Sequence, residues 1–137
     1  MAELDTAILA EFAKLDQAGL LTMVGGGFDR VRVSSPGLVH QFFLVLRFRL
    51  AEDERSAPFA ARVVAPSTGP QFLMGIAGEA VRADDAAAVA GHSYAVSVIG
   101  IGIPLMAAGT YTIQVEVGGT VTREVPFEVE FPSQTAS

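Results

Sequence analysis

His40 and His92 are the only histidines in the chain, and cysteine is absent, so nucleophilic or acid–base chemistry would have to be built around one of these two imidazoles. A catalytic triad needs a base held between a nucleophile and an orienting carboxylate. Ser93 follows His92 directly, and folding could bring a distant aspartate to the pair, but no recognised spacing marks such a set. Each histidine stands beside an expected strand start, where turn and rim histidines are ordinary. The expectation is a protein that is not an enzyme, with no catalytic residue assigned.

Arg47 and Arg49 lie two apart. On a strand this places both guanidinium groups on one face, where they could clamp a carboxylate or phosphate. The competing use of such a pair is cross-strand ion pairing, for which Glu124, Glu128 and Glu130 are available. Two acidic clusters, Glu52-Asp53-Glu54 and Asp84-Asp85, could share a calcium ion if their loops met at one end of the fold, with Asp53, Asp84 and Asp85 as the candidate ligands. Calcium takes about six to eight oxygens. The spacing matches no ligand motif, so solvated loop acids are the expectation and no metal is assigned. Zinc would need both histidines and a carboxylate to converge, a weaker case still. Gly25-Gly26-Gly27 lacks the lysine and hydroxyl of a phosphate-binding loop and the spacing of a dinucleotide fingerprint. It reads as a bend or bulge, and no cofactor is expected.

The elements that must position these residues are strands. Tyr111, Ile113, Val115 and Val117 alternate with polar residues, and after Gly118-Gly119 so do Val121, Val125, Phe127, Val129 and Phe131. Period two with one apolar face is the pattern of an antiparallel hairpin covering one side of a core, and two glycines suit a turn that needs positive φ. Residues 39–50 predict a long central strand, with Phe42, Leu44, Leu46, Phe48 and Leu50 on one face and Phe43, Val45, Arg47 and Arg49 on the other. Its doubly apolar half should be covered on both sides. Further strands are expected over 20–24, 29–33, 58–64, 71–82 and 93–103, with a loop and a possible helical turn over 83–91. The charge-free run Ile99 to Ala108 is either buried on both faces or an exposed edge meant for a partner. Residues 6–15 are ambiguous. Leu4, Ile8, Phe12 and Leu15 fall at helical spacing, whereas a turn at Gln17-Ala18-Gly19 favours a strand hairpin.

Seven to nine strands with no internal repeat describe an all-β fold: one antiparallel β-sandwich over residues 1–137, immunoglobulin-like or of related topology, with 132–137 a flexible tail. At 137 residues the chain is long enough to bury a sizeable core without disulfides. Nine basic residues against fifteen acidic ones, net charge −6, argue against nucleic acid, where affinity comes from clustered Lys and Arg. No secretory leader and no apolar run long enough for a membrane span is evident, and the lack of cysteine fits a reducing compartment. A cytoplasmic protein without a membrane partner is the expectation. Hydrophobic residues make up 50% and charged residues 18%. Such a balance points to a large two-sheet core or to a flat apolar surface used for self-association.

Ala7-Ile8-Leu9-Ala10-Glu11-Phe12-Ala13, the segment Gly19-Leu20-Leu21-Thr22-Met23-Val24-Gly25-Gly26-Gly27-Phe28-Asp29-Arg30-Val31, and the closing hairpin from Gly109 to Val129 together resemble a widespread family of uncharacterised small bacterial β-domains. That family pairs an "alanine-leucine-leucine-alanine-aspartate" strand with a "glycine-lysine-leucine…glycine-glycine-glycine" strand. The chain departs from the pattern at Glu11, where aspartate is commoner, and at Leu20, where lysine is usual. The resemblance implies a fold, tips residues 6–15 towards strand, and implies no activity, cofactor or site residue. The functional expectation is a non-enzymatic binding or assembly module that contacts a protein partner or copies of itself as a homo-oligomer. A phage- or particle-associated decoration protein is one alternative, and a sandwich that binds a small molecule or calcium is another.

Overall fold

Among residues 2–66, 71–82 and 91–132, which the computed structural model describes, period-two alternation produces ten strands and no helix. They are β1 (Glu3–Ala10), β2 (Phe12–Leu15), β3 (Leu21–Val24), β4 (Arg30–Arg32), β5 (Val39–Ala51), β6 (Ser56–Ala65), β7 (Gln71–Val81), β8 (His92–Pro104), β9 (Gly109–Val117) and β10 (Thr120–Glu130). The helical spacing of Leu4, Ile8, Phe12 and Leu15 is therefore overridden by sheet pairing, as the hairpin reading required. The expected strand over 6–15 is broken at Glu11 into β1 and β2, which raises the count to ten. Of the expected loop over 83–91 and tail over 132–137, residues 83–90 and 133–137 lie outside the described residues.

The strands form a three-stranded sheet, β1-β5-β8, a five-stranded sheet, β4-β10-β9-β6-β7, and the separate hairpin β2-β3. All pairings are antiparallel except β4 with β10. The two larger sheets face each other across one core. Phe42 of β5 meets Phe127 of β10 edge-on at 5.4 Å, and Phe48 of β5 stacks on Phe59 of β6 at 5.7 Å. Leu44, Leu46 and Leu50 from one sheet and Tyr111, Ile113 and Val115 from the other are buried between them. Each such side chain contributes about 1.5–3 kcal/mol by leaving water, so this layer is the main source of stability.

The order relates to the immunoglobulin sandwich, with β1-β5-β8 against β10-β9-β6 and the strand between β6 and β8 moved onto the larger sheet as β7. A second signature agrees. Tyr111, buried near the start of β9 and stacked on Phe127 at 5.4 Å, donates its hydroxyl to the Ala107 carbonyl at 2.9 Å and accepts from the Ala107 N–H at 3.4 Å. This upstream tie is the tyrosine corner of such folds.

At the closing hairpin, Val117 pairs with Thr120 across Gly118 (φ 65°) and Gly119 (φ 83°). Two central residues at positive φ make the turn whose twist matches that of the flanking strands. The expected single apolar face of β10 holds from Val125 onward and fails at Val121, which is 42% exposed. A register shift between Val121 and Arg123 adds one residue to β10, and one residue turns the alternation over.

A third layer lies outside the sandwich. Beyond Ala10 the chain bends at Glu11, and β2-β3 folds across the outer face of the three-stranded sheet. There Ala10, Ala13 and Val45 are buried together, with Ile8, Phe43, Val96 and Val98 packed around them. Phe12 meets Phe43 edge-on at 5.6 Å. The doubly apolar half of β5 is thus covered on both faces, as its sequence demanded.

Candidate functional site

Arg47 and Arg49 project from the outer face of β5 beside β1, whose acidic residues pair with them. Arg47 Nη1 lies 2.8 Å from Asp5 Oδ2 and Arg49 Nη2 lies 2.6 Å from Glu3 Oε2. The Arg47 guanidinium also sits 3.7 Å over the Tyr94 ring. Cross-strand ion pairing is therefore the use made of this pair, but through Glu3 and Asp5 rather than the expected glutamates. Glu130 is engaged instead by Arg30 at 3.0 Å and Arg32 at 3.3 Å, and Glu128 accepts from the Thr110 hydroxyl. The physical reason is strand order, since β1 is the neighbour of β5 and β10 belongs to the opposite sheet.

The two histidines are not brought together. His40 pairs with Ile103 and His92 with Ala51, at opposite ends of the β5-β8 ladder, roughly 36 Å apart at about 3.3 Å per residue. Asp53 and Glu52 are exposed in the turn after β5. In that turn Glu54 accepts from the Ala51 N–H at 2.9 Å, a bond that holds its carboxyl below the usual value. Asp84 and Asp85 lie outside the described residues. Among the described residues no three His, Asp or Glu side chains converge on a point where a metal could sit.

What does converge is a cleft that the residue types alone did not reveal. Glu11, Phe28, Arg30, Val31, Arg32, His40 and Gln41 line a cavity of about 320 Å³. Four elements build it: the bend after β1, the segment following Gly25-Gly26-Gly27, the edge strand β4 and the start of β5. The glycine run makes room for Glu11. A Cβ at Gly25 would stand 2.7 Å from Glu11 Cγ, and its backbone has φ +63°. The Gly27 N–H then donates to the Leu9 carbonyl at 2.7 Å and ties the run to β1. His40 stacks on Phe42 at 5.8 Å; burial pushes its imidazole below the usual value, against an opposing pull from the Glu11 carboxylate. Among its lining residues the cleft has an imidazole, an amide and a carboxylate, but no serine, threonine or cysteine to act as a nucleophile. Its guanidinium groups are already held by Glu130. Such a set can hold a small polar molecule.

The other prominent feature is apolar. On β2-β3, Phe12, Leu15, Leu20, Leu21, Met23 and Val24 are all between 37% and 67% exposed. Asp16 accepts from the Ala18 and Leu20 N–H groups at 2.9 and 2.8 Å, which rigidifies the turn at the hairpin tip. Sequence reasoning missed this surface, although the run Leu20-Leu21-Thr22-Met23-Val24 carries its signal: apolar residues at both parities of a strand cannot all face inward.

A search of curated proteins finds no match. The unit that recurs is the sandwich together with its outer hairpin, since a family match begins inside β1 at residue 5 and ends on the last residue of β10 at residue 130: the chain belongs to DUF6941, a family of unknown function.

Proposed function

We propose that this protein is a non-enzymatic module that works through protein–protein contact, with the β2-β3 hairpin as its contact surface. The observation that carries the reading is the hairpin itself. Two four-residue strands are marginal alone, and this pair spends only part of its apolar surface on the sheet beneath. Six large apolar side chains stay partly exposed over both faces and the tip of one short projection, the kind of surface that a partner covers. A particle-associated decoration role is the variant in which the covering surface is a repeating lattice. The likeness of the opening and closing strands to small bacterial β-domains, with the absence of cysteine, supports placing the module in a bacterial cytoplasm.

The test is a photo-crosslinking residue at Leu21 in cells of the source organism, with the same residue at Val121, a slightly more exposed apolar position, as comparison. Protein adducts at position 21 and none at 121 are expected; equal labelling, or none at 21, overturns the reading. A second reading is favoured by the His40 cleft, which would bind a small polar ligand. It predicts a ligand-dependent rise in melting temperature that His40→Ala abolishes.

A further inference from the structure

β8 is an edge strand: its one ladder partner among the described residues is β5. An open edge presents unpaired N–H and C=O groups to any chain that can reach them, and natural sheets defend such edges with charge, bulges or short strands. The other edges of the two sandwich sheets carry these defences. β1 has Glu3, Asp5 and a register shift between Leu4 and Thr6; β4 is three residues long with two arginines; β7 carries Glu79 and a register shift opposite Val63 and Val64. β8 has none of them. It pairs with β5 through thirteen successive residues without a shift, and it contains no Asp, Glu, Lys or Arg. The tip of the hairpin, Leu15 to Gly19, and Val81 of β7 approach Tyr94 and Val96, which leaves Ile99–Pro104 as the half without charge or bulge, closed at its end by the proline.

That half reads Ile99-Gly100-Ile101-Gly102-Ile103, the same in both directions about Ile101. In an antiparallel pair, directly opposed residues point to the same face. A two-fold axis at Ile101 therefore sets isoleucine opposite isoleucine in the core-facing row and glycine opposite glycine in the outer row. The outer row is smooth, since Phe43 and Val39 reach to within 3.5 and 3.6 Å of where Cβ atoms at Gly100 and Gly102 would be. Charge favours a second copy as well. A chain of net charge −6 brought against itself opposes like charges on most faces, whereas an uncharged self-matching strand does not.

We infer that two copies of this chain pair through the β8 edge, antiparallel about Ile101, to join their β1-β5-β8 sheets into one six-stranded sheet. The inference rests on the protein-contact reading above and specifies a partner for a second surface of the same module. A standard interface buries about 800 Å² per partner, more than six residues of strand edge provide. Leu38, Val39 and Met106, which are 50%, 62% and 65% exposed beside the end of β8, supply the flank. Such a dimer is isologous and closed, so assembly stops at two.

The test is sedimentation equilibrium of the full chain from low micromolar to near-millimolar concentration, alongside Gly102→Lys, Gly102→Ala and the hairpin variant Leu21→Lys, each checked for native circular dichroism. A Cβ at Gly102 meets its neighbours only at ordinary distances, 3.6 and 3.7 Å, so the lysine adds charge at the edge without a clash. Expected are a species of twice the 14.3 kDa chain mass, a dissociation constant raised at least about tenfold, ~1.4 kcal/mol or more, by Gly102→Lys, and little change for Gly102→Ala. A monomer at every concentration, or a dimer indifferent to Gly102→Lys, overturns the edge pairing. If Leu21→Lys alone dissolves the dimer, the hairpin reading stands and the edge inference falls. Crosslinks at Leu21 report on that reading independently.

Discussion

Replacing Tyr111 with phenylalanine removes a single oxygen atom and leaves the ring stack on Phe127 in place, so it isolates the tyrosine corner from the packing around it. The oxygen makes one good hydrogen bond, to the Ala107 carbonyl at 2.9 Å, and one long one, from the Ala107 N–H at 3.4 Å. A net intramolecular hydrogen bond is worth about 1 kcal/mol, and the long contact less, because such bonds weaken near the distance limit. An unsatisfied buried partner would add up to about 3 kcal/mol. Ala107 is exposed, however, so water can take over its peptide groups and this larger penalty does not apply. The expected loss is therefore about 1–1.5 kcal/mol, a fall in melting temperature of roughly 3–6 °C for a domain of this size. Urea titration should show a lower midpoint with an unchanged slope. A loss below about 0.3 kcal/mol would show that the corner has no energetic role. A loss above about 3 kcal/mol would refute the solvation step, because it requires a segment around Ala107 sealed from water.

The bulge in β10 predicts opposite fates for two residues that simple alternation places on one face: Phe127→Ala should cost about 3–5 kcal/mol and Val121→Ala within about 0.5 kcal/mol, both read by denaturant unfolding. Gly119→Ala should cost about 1 kcal/mol, since an L-residue is strained at φ 83°, and Gly119→Asn should recover part of it because asparagine tolerates that region; equal stability of all three proteins would refute the turn assignment. The folded-state pKa of His40 lies below its unfolded value of 6.5, so between the two the unfolded chain holds more protons and stability rises with pH. The contribution should be complete above the unfolded value, decline as pH falls through it, and level off below the folded value. Urea midpoints from about pH 8 to about pH 5 should show this decline and His40→Gln should lack it; a wild-type protein that gains stability on acidification over that range, relative to His40→Gln, would contradict the burial of the imidazole.

The closing hairpin was legible because its alternation, its turn residues and its burial all agree, and the long strand β5 because apolar residues at both parities can only mean cover on both faces. Helical spacing at Leu4, Ile8, Phe12 and Leu15 pointed away from the strands because the register shift after Leu4 and the bend at Glu11 change which face each residue presents, and a periodicity count assumes one straight element. The partners of Arg47 and Arg49 were not readable, since pairing depends on strand order, and strand order is set by non-local packing that leaves no trace in spacing. The cleft around His40 was hidden for the same reason: Glu11, Arg30 and His40 are far apart in sequence and meet only because β4 pairs in parallel with β10 and the glycine run bends back onto β1.

The apolar excess of this chain, mean hydropathy +0.43, has two explanations at the level of composition: a large core or a sticky surface. The structure divides it between them. Val45, Ala10 and Ala13 would count as surface residues of a plain two-sheet sandwich, yet they are buried beneath the outer hairpin, so part of the excess supports a third layer. That layer does not finish the task, because a two-stranded hairpin has two faces and only one can rest on the sheet. Buried Ala13 marks the face that rests on the sheet; Leu15, Leu21 and Met23 share that face and are covered only in part, while Phe12 and Val24 lie on the other face and stay exposed. The outer face carries Lys14 and Thr22 beside them, so the apolar excess is spread over both faces of the hairpin. The remaining departure falls on the hairpin, which overlies the three-stranded sheet, and on the uncharged edge of that sheet at β8. Those are the two surfaces on which the proposed contacts are placed, and an even spread of hydrophobic residues would not single them out.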